Sequence, residues 1–208
     1  MKIFAIMGKA GSGKDTVADI FNDYNFQKVA FADPLKRYVM DVFDLSYNQL
    51  WGPSQLRQEE LIKYIGKEGP LTPRKILQHI GTEGFRELYE DVWVDYTIRQ
   101  INKLKNNKDL RYRCDIGVYS CLGQEFGSLK RPEGIVISDM RFVNEFKKIK
   151  SVGGKIIKIK RENSGLENEQ AKHKSEMDQE FISDSDFDVI INNNGSLNDL
   201  KNKVYEII

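Results

Sequence analysis

Apolar, β-rich runs recur at Ile3–Met7, Val29–Phe31, Ile135–Ile137, Lys155–Lys160 and Phe187–Ile191, and each predicts a short buried strand. Between them the apolar positions change period. Val17, Ile20, Phe21 and Tyr24, then Leu35, Tyr38, Val39, Val42 and Phe43, fall at helical spacing and predict helices with one buried face. Phe142, Phe146 and Ile149 repeat that pattern after the third strand, as do Leu197, Leu200 and Val204 near the last residues. Strands alternating with helices predict an α/β fold: three layers, α/β/α, around a five-stranded parallel sheet covered on both faces.

One interval breaks the alternation. Between Asp44 and Gly134 no run is as strand-like as the other five, and residues 45–133 read as a helical substrate-binding insertion within a single 1–208 domain. Ile76–Leu88 and Val92–Leu104 predict two helices there, the second carrying Val94, Ile98, Ile101 and Leu104 on one side. Thr72-Pro73 predicts a helix start, with Thr as cap and Pro in the first turn. Residues 106–133 read as a loop or small hairpin. A second polar stretch, 161–175, reads as a small lid, because long loops in compact domains tend to be functional or disordered.

Composition narrows the class. Thirty-two basic residues against thirty-one acidic leave a net charge of +1, without the basic excess expected of a nucleic-acid binder. No apolar run approaches the roughly 18 residues of a membrane span, and no signal-peptide pattern precedes the first strand. Cys114 and Cys121 lack zinc-ligand spacing. A cytoplasmic enzyme acting on small molecules, without nucleic-acid or membrane partners, is the expectation; nothing in the pattern separates a monomer from a homodimer.

The clearest chemistry lies between the first strand and the first helix. Gly8-Lys9-Ala10-Gly11-Ser12-Gly13-Lys14-Asp15-Thr16 matches the G-x-x-x-x-G-K core of the phosphate-binding P-loop. Glycines let backbone N–H groups turn toward phosphate oxygens, and the helix N-terminus adds positive potential. Gly8, Ala10, Gly11, Ser12, Gly13, Lys14, Asp15 and Thr16 are therefore the predicted ATP contacts, with Lys14 supplying a charge for the transferring phosphate. Asp15 stands where Ser or Thr is usual, and the hydroxyl moves to Thr16, a candidate for phosphate or Mg²⁺. Asp15 itself reads either as an aid to the metal or as a partner of the helix dipole.

A second anchor is Ser138-Asp139-Met140-Arg141, at the carboxyl end of a predicted buried strand, where α/β sheets place ligands. Asp139 is a candidate Mg²⁺ ligand and Arg141 a phosphate contact; the plainer alternatives are a capping Asp and a surface Arg. His79 and His173 have no catalytic Ser or Cys nearby in sequence, and Lys172-His173-Lys174 reads as a solvated charge run.

Four blocks, Gly8–Asp19, Phe31–Lys36, Arg74–Thr82 with Trp93, and Ser138–Glu145, together resemble the deoxynucleoside monophosphate kinases of bacteriophages. The Lys14-Asp15-Thr16 segment also resembles the G-K-x-T form of nucleoside monophosphate kinases. The resemblance implies a P-loop kinase that moves the ATP γ-phosphate to a deoxynucleoside 5′-monophosphate, with ATP and Mg²⁺ as cofactors. Lys14, Arg141 and Asp139 would be the catalytic set. Asp33, Lys36, Arg37, Arg74, Gln78, Thr82, Arg86, Trp93 and Arg141 would bind the acceptor, Arg74 and Arg141 foremost; Arg37 also reads as a solvated helix residue. Arg74, Gln78 and Thr82, at spacings of 4 and 4, would share one helix face. Gln78 would read a base edge. Trp93 would stack on the base or serve as plain core. Arg161 would act as a lid arginine on ATP.

Two rivals remain at this level. Phe31-Ala32-Asp33 also resembles a segment of dephospho-coenzyme A kinase, in which the Asp would act on a ribose hydroxyl. A nucleotide-binding regulatory module without turnover is the other.

Overall fold

The computed structural model describes residues 1–106, 132–162, 164 and 181–208. The chain divides into two compact units, Met1–Phe31 with Thr97–Ile208, and Ala32–Tyr96.

The first unit is built on five parallel strands, β1 (Lys2–Met7), β2 (Phe26–Val29), β5 (Gly134–Met140), β6 (Lys155–Lys160) and β7 (Val189–Asn192). Their order is β2-β5-β1-β6-β7, with Ile3 opposite Ile135, Phe4 opposite Lys155 and Ile157 opposite Val189. Successive side chains point to opposite faces. Phe4, Ile6, Val136, Ile157, Ile159 and Ile191 thus pack with Val17, Ile20 and Phe21 of α1 (Lys14–Asp23), and with Leu200 and Val204 of α7 (Leu197–Tyr205). On the other face Ile3, Ala5, Met7, Ile135, Ile137 and Ile156 are equally buried. There α6 (Val143–Ser151) contributes Phe146 and Ile149. The expected α/β/α layering around five parallel strands is the observed one.

Two strands are displaced from the expected runs, and β5 extends beyond Ile135–Ile137 at both ends. β2 starts at Phe26 because that ring completes an aromatic cluster, 5.7 Å from Phe4 and 5.2 Å from Phe21. It ends at Val29, and the Phe31 N–H donates to Asp139 Oδ1 instead of a strand neighbour. β7 begins at Val189 because Phe187 ends a 3-10 turn (Asp184–Asp186) and packs edge-on against Phe146.

The same turn carries a pH-dependent contact. Asp184 accepts from Lys158 Nζ at 2.8 Å and from Lys160 Nζ, and these hydrogen bonds hold its carboxyl down at about 2. A depressed carboxylate stabilises the fold above its ordinary value of 3.8 and loses that contribution as pH falls toward 2. The effect is modest because the group is exposed and screened by solvent. Wild type is expected to melt slightly above Asp184→Asn at pH 6, and thermal scans at pH 2 should find that gap closed.

The second unit opens with α2 (Asp33–Phe43), with Pro34 in its first turn. Helix α3 (Tyr47–Trp51) begins at a capping box in which Ser46 and Gln49 satisfy each other's backbone N–H groups. A 3-10 turn (Ser54–Arg57) leads to an antiparallel hairpin of β3 (Leu61–Gly66) and β4 (Gly69–Leu71), which the apolar pattern did not predict. Helix α4 (Pro73–Gln78) starts as expected, with Thr72 Oγ1 accepting from Lys75 N–H at 3.1 Å. The helical path continues over His79–Arg86 as a π-helix, and α5 (Val92–Asn106) follows. The unit boundary at Tyr96 falls within α5.

Candidate functional site

The glycine loop lies between β1 and α1. A Cβ on Gly8 would come within 2.5 Å of the Ile159 carbonyl oxygen and 2.8 Å of Ser12 Oγ, so only glycine fits this approach of loop to β6. Gly13 is the N-cap of α1 at φ +103°, a conformation glycine adopts without steric penalty. No side-chain oxygen caps that helix. Its first N–H groups are therefore without the acceptor that a Ser, Thr or Asp cap would provide, and an anion suits them. Ser12 is fully buried, and its Oγ has no hydrogen-bond partner. Lys14 Nζ donates to the carbonyls of Gly8 and Lys9, at 2.6 and 2.9 Å, which keeps the ammonium on the loop. Ala10 is half-buried, whereas Gly11 and Thr16 are exposed.

Asp15 turns to Lys28, at 3.1 Å, and Lys28 also meets Asp19 at 2.8 Å. Burial works against the Lys28 charge, but the hydrogen bond to Asp19 and the charge of Asp15 outweigh it and raise its pKa above the ordinary lysine value. Asp15 thus stands in the first turn of α1 with its carboxylate engaged by a lysine.

At the end of β5, Asp139 Oδ1 accepts from the Phe31 N–H at 2.8 Å, which fixes the carboxylate and the chain leaving β2. Arg141 is half-buried. Its backbone N–H and that of Phe142 both donate to Glu145 Oε2, at 2.8 and 3.0 Å. Glu145 is 1% exposed, so the start of α6 is held by a buried carboxylate. Arg161 is exposed, directly after β6. Most of the expected lid 161–175, together with His173, Lys172, Lys174, Cys114, Cys121 and the 107–131 part of the 106–133 segment, lies outside the described residues.

Three residues of this unit were not anticipated. Asn193 Nδ2 donates to the Ser12 carbonyl oxygen at 2.8 Å, tying the end of β7 to the glycine loop. Asn194 and Glu162 exchange a reciprocal pair, Glu162 N–H to Asn194 Oδ1 at 2.9 Å and Asn194 Nδ2 to Glu162 Oε1 at 2.8 Å. The signal available in sequence was the polar run Asn192-Asn193-Asn194-Gly195 at the carboxyl end of a strand.

In the second unit Asp33 is 4% exposed and accepts from Trp51 Nε1 at 2.9 Å. Lys36 Nζ lies 5.3 Å over the Trp51 ring, a cation–π contact. Trp51 thus organises two of the three acceptor candidates on α2, Asp33 and Lys36, a role its isolated position in a weakly patterned stretch did not signal. Arg37 is not merely solvated, since it donates to the Tyr96 hydroxyl at 3.0 Å. Arg86 donates to the Glu90 carbonyl at 3.3 Å. His79 pairs with Glu83 on the surface.

Arg74 and Gln78 share α4, both half-buried, and Arg74 Nε is buried without a hydrogen-bond partner. Thr82 falls in the π-helical segment. The wider i→i+5 turn makes four residues fall short of a full circle, where an α-helix overshoots it, so the expected single face holds for Arg74 and Gln78 and shifts at Thr82. Trp93 is 8% exposed, with its ring against Phe85 and its Nε1–H donating to the Gly81 carbonyl at 3.2 Å. That is the core alternative; stacking on a base would require the ring to leave this packing.

The first unit is thus an α/β parallel sheet with a glycine loop and an uncapped helix start at its carboxyl edge. The family model for deoxynucleotide monophosphate kinase matches residues 121–204. Over the full length, the chain is 30% identical to a protein of Acanthamoeba polyphaga mimivirus described as "Putative deoxynucleotide monophosphate kinase", covering 100% of this chain and 96% of that one. The chain belongs to the deoxynucleotide monophosphate kinase family, which places it among the kinases of nucleotide metabolism.

Among solved structures it is similar to dephospho-CoA kinase from Campylobacter jejuni, at 19% identity and a TM-score of 0.46, covering 100% of this chain and 96% of that one. It is similar also to TT1252 from Thermus thermophilus, at 15% identity and a TM-score of 0.46, covering 99% and 95%. Among the described residues no helix is long and apolar enough to cross a membrane.

Proposed function

We propose that the protein transfers the γ-phosphate of ATP to a deoxynucleoside 5′-monophosphate, giving the diphosphate and ADP. The observation that carries this reading is the glycine loop, where an uncapped helix N-terminus and the orphaned buried Ser12 hydroxyl adjoin the Lys14 ammonium, itself held on the Gly8 and Lys9 carbonyls. The phosphate oxygens of ATP would take the N–H groups of the loop and the start of α1, with Lys14 on the transferring group. Thr16 and Asp139 offer only oxygen donors, which suit a hard cation such as Mg²⁺. Bound there, Mg²⁺ would neutralise phosphate charge during transfer.

Arg74 would pair with the acceptor phosphate, which gives its partnerless Nε a charge-assisted bond. Gln78, one turn along α4, would meet the base. Arg141 would contribute a second cation for the transferring phosphate, and Arg161 would reach the nucleotide from the end of β6. An acceptor phosphate is already ionised, so the reaction needs alignment and charge neutralisation rather than a strong base.

A coupled assay of ADP release with the four deoxynucleoside monophosphates and dephospho-coenzyme A tests the reading. Turnover is expected with at least one monophosphate and not with dephospho-coenzyme A. The reverse preference would move the reading to that rival, and no turnover with any acceptor would favour a regulatory module.

A further inference from the structure

The carboxamide of Asn193 bridges the last strand and the glycine loop, with Nδ2 donating to the Ser12 carbonyl oxygen at 2.8 Å. The Asn193 backbone N–H donates in turn to the Lys160 carbonyl at 2.7 Å, so the residue is fixed at the carboxyl edge of the sheet. The Ser12 carbonyl and the Gly13 N–H belong to one planar trans peptide and point in opposite directions. Holding the carbonyl toward Asn193 therefore aims the Gly13 N–H away from it, as a donor at the start of α1. Glycine imposes little on this peptide, because both of its rotations are sterically cheap there. Flipped, the same peptide would turn the Ser12 oxygen toward an incoming phosphate, and like partial charges would repel. Gly13 and Asn193 also fit as a pair, since a Cβ on Gly13 would come within 2.4 Å of Asn193 Nδ2.

We propose that Asn193 is a positioning residue for the triphosphate, locking the Ser12–Gly13 peptide in its anion-binding orientation without touching substrate itself. The proposal rests on the reading of the loop as an ATP phosphate site and adds the element that sets its geometry. Loss of one such bond is expected to weaken binding about tenfold.

Asn193→Ala and the isosteric Asn193→Asp, which sets an acceptor against the Ser12 carbonyl, are to be compared with wild type. Calorimetry with ATP and with inorganic tripolyphosphate reads the loop alone, thermal unfolding reads the fold, and steady-state kinetics separate the two substrates. In each variant both polyphosphate Kd values and the KM for ATP should rise about tenfold, while the monophosphate KM stays within twofold. Should the alanine variant not fold, the aspartate variant carries the same expectation. Unchanged polyphosphate affinity beside a lowered melting temperature would overturn the proposal, and so would an equal rise in both KM values. Failure of wild type to bind either polyphosphate would instead remove the loop reading itself, and the proposal with it.

Discussion

Lys14→Ala is expected to lower phosphoryl transfer by a factor on the order of 10² to 10³ while leaving the melting temperature nearly unchanged. The ammonium lies on the carbonyls of Gly8 and Lys9, not among the apolar side chains of the sheet, so its loss removes charge rather than core packing. In the transition state negative charge spreads over the transferring phosphoryl oxygens, and a cation held on the loop stabilises it more than it stabilises bound ATP. Single-turnover rates with saturating ATP, beside thermal unfolding followed by circular dichroism, separate these effects. Transfer within a few-fold of wild type would remove Lys14 from the chemistry.

Arg74→Ala is expected to raise the KM of the monophosphate acceptor by about 10- to 100-fold, the range for a lost hydrogen bond to a charged group, with ATP affinity unchanged. The buried Nε has no protein partner, so its removal breaks no hydrogen bond of that atom in the free protein. The stability cost is confined to side-chain packing. Gln78→Ala should instead change the ratio of kcat/KM among bases, because a site amide left without its partner penalises the wrong base. Unchanged acceptor kinetics in both variants would move acceptor recognition off α4, to Lys36, Arg37 and Arg141.

The elements legible in the sequence are those whose side chains meet one buried environment. β1 is apolar on both faces because helices cover both, β6 buries Ile156, Ile157 and Ile159 between lysines, and their runs mark both strands almost to the residue. β2 was displaced because Phe31 is buried as a strand residue would be, yet its N–H goes to Asp139 and the chain turns into α2. The β3–β4 hairpin carries no apolar alternation, because Ile62 and Ile65 point to solvent, at 92% and 76% exposed. Its signal was the turn, Gly66-Lys67-Glu68-Gly69, a two-residue connection after the β-rich run Leu61–Ile65.

The same distinction separates the parts of the site. The glycine loop is a contiguous motif whose spacing encodes its backbone path, so it is readable in one dimension. Asn193 lies 181 positions from Ser12, and only the parallel order β1-β6-β7 brings the two together. Trp51 reaches Asp33 across 18 positions through the packing of α3 beside α2. The change from α to π hydrogen bonding after Gln78 likewise has no distinctive spacing, although Gly81 and Gly84 mark that stretch as weak in helix propensity.

The central claim is a phosphoryl transfer between two nucleotides, and following the phosphorus atom tests it most directly. The protein, Mg²⁺ and ATP labelled at the γ-phosphorus are mixed with each deoxynucleoside monophosphate, and the products are separated by anion-exchange chromatography. The account predicts label in the β-position of a deoxynucleoside diphosphate, formed in step with unlabelled ADP and abolished by Lys14→Ala. Label appearing only as inorganic phosphate, or remaining wholly in ATP with every acceptor, would contradict it.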